Sequence, residues 1–497
     1  MSGIKIVDIS QVVAGPLATQ MLAEQGAEVI KIEPIDGELL RLGLRNGFPP
    51  LFANDNRGKR SVAVDTTLPE GRDLVLDLTS DADVFIENFR PGVSERLGLG
   101  EAAVRAVAPD IIYVSVTGFG PTGPYADRAC LDPVIQGLTG MVHGQTSRDL
   151  PFPDLIRTLV ADKTTAYTAA QAISAALFAR ERGAGGQHIE IAMLDAVLAW
   201  FWPDGMSDFT LPDDPLPRRR ASDNYRLTDT ADGQIIYYLA STDQICGMWR
   251  ALEREDMLGD DRYNHIGLGA DPEALAFVGA TIVEEIGKLT SAEIISRLAR
   301  ESVPAGPIHE RADVLTDPQV VHNELIVEWE HPDLGLVRQV RPPVDFHGTP
   351  TTMLLQVEDV GASTRETLLA LGRDDAEIER RSLTVAAAQA IDSRQPLAQR
   401  RVCDRRWEGA DLRRCRPVRE GDAPTHTAST ALCGGNLRVR RVTSGRGTPH
   451  CGVACHDARP LSLAARCPDC LAPLRSEGRH RSRHRLRQDR CGHHCDR

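Results

Sequence analysis

Asp162 opens a long alanine-rich stretch, and a carboxylate in that position can do two things. It can cap a helix, which aspartate favours. It can also stay ionised beside free N–H groups and the helix dipole, in a place where a developing oxyanion would be held. Spacing alone favours the cap. Lys59 and Arg60, in Asn-Arg-Gly-Lys-Arg-Ser ahead of an extended stretch, are candidates for phosphate binding, as are Arg90 and Arg96 around Pro91-Gly92. Solvated surface charge is the plainer reading of any single one. Gly118-Phe-Gly120-Pro-Thr-Gly123 fits the spacing of a dinucleotide loop. Pro121 and Pro124 prevent a helix from opening there, so a glycine-rich loop beside a substrate is expected instead. His143, near Gly140 and Gly144, is a possible base or a packing residue. Cys130 and Cys246 are isolated and read as buried thiols. Residues 1–383 contain no Ser-His-Asp order, HExxH or P-loop, and no metal is expected there.

These residues need elements to position them. Apolar runs predict strands over 4–9, 28–33, 61–65, 83–87, 111–116 and 188–192, separated by segments with helical spacing. That alternation predicts an α/β fold with a parallel sheet covered on both faces, whose ligand sites lie at the carboxyl ends of the strands. Helices are expected over 14–25 and 162–182, the latter with a stripe of Ala166, Ala169, Ala170, Ile173, Ala176 and Leu177. A proline-rich charged linker follows within 211–224. A smaller α+β domain is expected over 225–320, with a strand at 234–239 and helices near 245–255 and 274–289. Residues 325–347 read as extended and 364–371 as helical.

Composition divides the chain of 497 residues in two. Residues 384–497 hold 9 of the 11 cysteines and 23 arginines against 11 acids, a net of +12, with no lysine, phenylalanine or tyrosine. Residues 1–383 carry 34 basic and 59 acidic side chains, a net of −25, which argues against nucleic acid as a partner. The tail shows no sustained apolar period and cannot bury enough surface to offset chain entropy. Three readings compete for it. Cys467-x2-Cys470 and Cys491-x3-Cys495, with His493 and His494, have near-ligand spacing for zinc. The run 479–490 suits a basic arm. The composition also matches a GC-rich gene read out of frame, which is the preferred reading. No run of 18 apolar residues is present and no secretory signal is seen at the N-terminus, so a cytoplasmic protein without a membrane span is expected.

Ordered blocks then carry a resemblance. DISQVVAGPLATQMLAEQGAEVIKIE, NRGKRSVAVD, DVFIENFRPGVSERLGLG, IIYVSVTGFGPTGPYADR, the Asp162 stretch, GAGGQHIEIAMLDAV, VPAGPI, LTDPQV and STRETLLALG occur in sequence over residues 3–380. Together they resemble the family III CoA-transferases of CaiB/BaiF type, which are related to α-methylacyl-CoA racemases. The resemblance implies a Rossmann-like large domain and a smaller α+β domain in an interlocked-ring homodimer. The domains are expected at 1–210, 225–320 and a return segment at 321–383. It also implies that Asp162 is the nucleophile, through a mixed anhydride and an aspartyl-CoA thioester, and that Lys59, Arg60, Asn88, Phe89 and Arg96 contact CoA. CoA and acyl-CoA would be substrates, exchanged with a small carboxylic acid, and no permanently bound cofactor is expected.

Two departures matter. Racemases of this family place a histidine where this chain has Leu131, and leucine cannot be one of the two bases that α-proton exchange needs. Oxalate-type transferases carry glutamine where this chain has Val13, so oxalate is not expected. Val13, Leu131, Trp200 and Trp202 suggest an apolar acyl group. The expected activity is acyl-CoA:carboxylate CoA transfer. The alternatives are a racemase of the same family and a CoA-binding protein without catalysis.

Overall fold

The computed structural model describes residues 1–43, 48–146, 151–213, 225–264, 271–332 and 334–374, and the strands Thr430–Cys433 and Leu437–Arg440. The chain begins with β1 (Lys5–Asp8), α1 (Ala14–Glu24), β2 (Glu28–Glu33), α2 (Pro50–Asn56), β3 (Arg60–Ala63), α3 (Pro69–Thr79) and β4 (Val84–Glu87). It continues with α4 (Val93–Arg96), α5 (Glu101–Val107), β5 (Ile112–Thr117), α6 (Asp132–Leu138), α7 (Met141–Gly144), α8 (Val160–Ala179), β6 (His188–Ala192) and α9 (Met193–Gly205). The six strands form one parallel sheet in the order β3-β2-β1-β4-β5-β6.

The strands are short apolar runs because both faces of the sheet are covered. Side chains alternate between two cores. Ile6, Val29, Val84, Ile86, Ile112 and Val114 join one core with α1 and α8, and Val7, Ile30, Ile32, Phe85 and Tyr113 join the other with α3 and α5. β2 and β6 occupy the spans expected from sequence, and the remaining strands shift by one or two residues. The strand order reverses direction between β1 and β4, and there the loops leaving the two strands diverge to leave a crevice.

α8 runs from Val160 to Ala179 rather than from 162 to 182, and passes into a wider turn over Arg180–Ala184 where Gly183 has φ 91°. Its stripe of Ala166, Ala169, Ile173 and Ala176 is buried against Ala14, Ala18 and Leu22 of α1. Small side chains on both helices permit that close approach.

The chain then forms β7 (Leu227–Asp229), β8 (Gln234–Tyr237), α10 (Thr242–Ala251), α11 (Pro272–Ile286), α12 (Ser291–Arg300) and β9 (Ala305–Pro307). The three strands pair antiparallel, and a separate core of Ile235, Met248, Trp249, Ile282, Ile294 and Leu298 lies against them. α12 was not anticipated from sequence, although Thr290 accepts a bond from the Glu293 N–H at its start and Ile294 and Leu298 are spaced i, i+4. Next come α13 (Pro318–His322), the antiparallel pair β10 (Ile326–His331) and β11 (Gly335–Val340), and α14 (Thr364–Ala370).

The segment before α14 returns to the sheet and covers the outer edge of β3. Ser61 N–H donates to Glu358 Oε2 at 2.7 Å and Ala63 N–H to Thr364 Oγ1 at 3.0 Å, while Ser61 C=O accepts from Ser363 N–H at 3.0 Å. The edge strand is therefore closed by side chains and loop rather than by another strand. Beyond residue 400 the described part is the antiparallel pair β12 (Thr430–Cys433) and β13 (Leu437–Arg440). The near-zinc cysteines and histidines, the arginine-rich run 479–490 and most of the linker at 211–224 lie outside the described residues. Among the described residues no helix is long and apolar enough to cross a membrane.

Candidate active site

A cavity of about 130 Å³ opens at the carboxyl edge of the sheet, between the loops that leave β1, β4 and β5. The β1 loop contributes Val12, Val13 and Ala14; the β4 loop Asn88, Phe89 and Arg90; the β5 end Val116, Thr117 and Gly118. Arg128, Cys130 and Leu131, Asp162 of α8 and Met193 of α9 complete the wall. The first turns of three long helices (α1, α8 and α9) thus reach this one cavity, where their dipoles favour negative charge. Its size suits the reacting end of a substrate rather than a whole nucleotide thioester. The glycine-rich loop lies where expected, after β5, with Gly120 at φ 89° and Gly123 at φ 95°.

Asp162 does not cap its helix. It sits in the first turn, and the residue at the cap position is Leu159. The cap comes from elsewhere in the chain: Asp132 Oδ2 accepts the N–H groups of Ala161 at 2.6 Å and Asp162 at 3.1 Å. Asp132 is 2% exposed and is held by Gln136, whose Nε2 donates to Asp132 Oδ1 at 2.6 Å. Two of the N–H groups that sequence reasoning offered to an oxyanion are therefore already occupied. The Asp162 side chain is left to the cavity, and among the described residues no hydrogen bond to its carboxylate is present. Burial at 8% exposure, reinforced by the neighbouring charge of Asp132, pushes its pKa up to about 6.

Asn88 lines the cavity but its amide is engaged internally. Its Oδ1 accepts from Gln11 N–H at 2.7 Å and its Nδ2 donates to Gln11 C=O at 2.6 Å, joining the loops of β1 and β4 across the crevice. The next residue, Val12, has φ 67°, a left-handed conformation that β-branched side chains avoid. At the end of β4, Glu87 accepts the Phe89 N–H at 2.7 Å, and burial raises its pKa to about 7.

Lys59 and Arg60 do not reach the cavity. Lys59 is 3% exposed, with Nζ bonded to Asp8 Oδ2 at 3.0 Å, Pro16 C=O at 2.7 Å and Asn56 Oδ1 at 2.8 Å. Burial would raise the pKa of Asp8, but Lys59, Lys31, Ser10 and Thr19 outweigh it and hold the carboxyl well below the carboxylate range. Arg60 pairs with Glu28 and Glu366, each at 3.1 Å. Arg96 is exposed on α4, outside the cavity wall. In this structure the basic motif forms an internal ion cluster at Lys59 and a surface pair at Arg60.

The comparisons with known proteins agree on one family. The model of CoA-transferase family III matches residues 1–364. The succinate–glutarate CoA-transferase of Agrobacterium fabrum is 34% identical over 369 residues, covering 70% of this chain and 90% of that protein. The human succinyl-CoA:glutarate CoA-transferase is 30% identical over 362 residues, covering 70% and 80%. Among solved structures, a CaiB/BaiF family protein from Brucella suis aligns with a TM-score of 0.64 at 30% identity, covering 74% of this chain and 98% of that one.

The chain belongs to CoA-transferase family III.

In this family III CoA-transferase the expected residues separate into two groups. Asp162, Asn88 and Phe89 come together at the cavity, whereas Lys59, Arg60 and Arg96 do not. Val13 and Leu131 line the wall and Trp200 and Trp202 do not, so the apolar surface is smaller than the sequence suggested. Cys130 is half-buried in the wall rather than sealed in a core, and burial pushes its thiol up to about 11. His143 is exposed on α7 and away from the wall. Sequence reasoning missed the supporting role of Asp132, for which the signal was faint: an Asp-Pro helix start with glutamine four residues on. Among the described residues no group of three or more His, Cys, Asp or Glu could hold a metal ion.

Proposed function

We propose that this family III CoA-transferase moves CoA from an acyl-CoA to a carboxylic acid, with Asp162 as the nucleophile. The observation that supports this most is the Asp162 carboxylate itself. Among the described residues it is the one acidic group on the cavity wall, it lacks a hydrogen-bond partner, and its backbone is held by Asp132. With a pKa near 6 it is about nine-tenths ionised at pH 7 and more basic than an ordinary aspartate, which suits a nucleophile.

In this reading an Asp162 oxygen attacks the thioester carbonyl carbon. The C–S bond breaks and CoA leaves as thiolate, giving a mixed anhydride. The thiolate attacks the Asp162 carbonyl, which releases the donor acid and leaves an aspartyl-CoA thioester. The acceptor carboxylate attacks that thioester and displaces the thiolate again. The thiolate then takes the new acyl group, and Asp162 returns as a free carboxylate. The helix starts of α1 and α9 favour the negative charge that develops at each step. CoA lies against Asn88 and Phe89, with Arg96 at the surface beyond them.

The same reading assigns a large domain at 1–210 with a return segment from 321, a small domain at 225–320, a cytoplasmic location and an interlocked homodimer. Exposed Tyr167, Phe178, Trp200 and Trp202 on α8 and α9 support the dimer, since apolar surface of that extent favours burial. The test uses the full chain in D2O with an acyl-CoA and a mixture of carboxylic acids, followed by masses of all thioesters. New acyl-CoA species that vanish in Asp162→Ala are expected. Full transfer by Asp162→Ala would overturn the mechanism, and deuterium on the original acyl-CoA without new thioesters would move the assignment to a racemase.

A further inference from the structure

The cavity wall carries three charged side chains: Asp162, Arg90 and Arg128. Arginines in this acid-rich body are mostly matched to carboxylates, as Arg41 is to Glu33, Arg57 to Glu24 and Arg180 to Asp83. Arg128 has no carboxylate within ion-pair distance among the described residues. It is held instead by stacking, with Cζ 3.7 Å from the centroid of the Tyr125 ring. That ring is itself set edge-on to Phe119 at 5.7 Å. A cation fixed on an aromatic platform keeps its N–H donors available and loses little freedom when they bind an anion.

Position in the chain separates the two arginines. Arg90 continues Asn88 and Phe89, the edge assigned to CoA. Arg128 lies two residues before Cys130 and three before Leu131, in the segment that leads into Asp132, and lines the same cavity as Asp162. The same wall also carries the apolar side chains of Val13, Leu131 and Met193. A ligand complementary to this cavity combines a reacting carbonyl, a short methylene stretch and a negative charge.

We propose that Arg128 binds the distal carboxylate of a dicarboxylic acyl group, so that the enzyme is selective for dicarboxylic over monocarboxylic substrates. The inference rests on the assignment of Asp162 as the group that meets the acyl carbon. Guanidinium could equally take a CoA phosphate, and the experiment separates the two sources.

Full-length enzyme is titrated calorimetrically with free CoA, succinyl-CoA and butyryl-CoA, and kcat/KM is measured for succinate and butyrate as acceptors. Wild type is expected to prefer the succinyl compound. Arg128→Leu is expected to lower the succinyl-to-butyryl ratio by about 10- to 100-fold, the worth of a charged hydrogen bond. Arg128→Lys should restore part of it, and Arg90→Leu should weaken every thioester alike. Arg128→Gln, with a melting curve, gives a second reading if the leucine variant fails to fold. An equal loss for free CoA, succinyl-CoA and butyryl-CoA would place Arg128 on a phosphate and overturn the proposal, as would a wild type without preference. Failure of the Asp162 reading is a different result: a succinyl preference in binding, with no exchange of thioesters.

Discussion

Asp162 is costly to the fold, and that cost is measurable. Its carboxyl has a pKa near 6 in the folded chain against about 4 when unfolded. The folded state therefore holds more protons between about pH 4 and pH 6, and stability falls as pH rises through that window. By pH 7 the penalty is fully present, on the order of 3 kcal/mol. Asp162→Asn is expected to melt a few degrees higher than wild type at pH 7, with a flatter dependence between pH 4 and 6. Activity has the opposite sign, because the nucleophile is the anion: kcat/KM should fall below about pH 6. Asp132→Asn removes the neighbouring charge, so the acid limb should move to lower pH in the rate profile. A limb that stays in place would mean that another group sets it. Lys59 makes a contrasting case. Lys59→Met leaves Asp8 short of its nearest cation and should cost about 3 kcal/mol in denaturant unfolding. If the affinity for CoA fell by far more than the stability explains, Lys59 would be a phosphate ligand after all.

Loops leaving β1 and β4 are set against each other by Asn88 and Gln11, and this clasp holds Val12 in a conformation it would otherwise leave. Strain of that kind costs about 1–3 kcal/mol and persists only when its surroundings enforce it. Val12→Gly should therefore be neutral or stabilising by about 1 kcal/mol in a melting curve, while lowering kcat/KM by loosening the wall. Asn88→Ala should reduce both. How far the sequence announced these elements depends on the range of the information. β2 and β6 were legible because their apolar runs are local and bounded by glycine or charge. α12 was passed over although its capping residues and i, i+4 pair were visible. Asp132 and its grip on α8 were not legible, because the two ends of that contact lie 29 residues apart and neither has a distinctive neighbourhood. The burial of Lys59 was illegible for the same reason: its partner Asp8 is 51 residues away, so nothing nearby marks the lysine as buried. The conformation of Val12 has no sequence signal, since valine is among the last residues expected there.

At the scale of the molecule, strand order makes the site. Parallel strands are joined by helices, so the loops at one edge alternate with those at the other, and the reversal between β1 and β4 leaves the crevice where Asn88, Arg128 and Asp162 meet. The closure of β3 belongs to the same scale. Glu358→Ala combined with Thr364→Ala should bare two N–H groups of the sheet edge, and light scattering on heating should then rise earlier than in wild type. A double variant with unchanged aggregation would mean that the loop backbone suffices.

That closure also has a consequence for how the protein is made. Ser61 and Glu358 are 297 residues apart. At about 5–20 residues per second, a ribosome needs roughly 15–60 s to produce the second after the first. Throughout that interval the nascent sheet carries an open β3 edge. The expected result is that ribosome-bound chains halted before residue 350 are held by chaperones, and that release of the chain past α14 ends the hold.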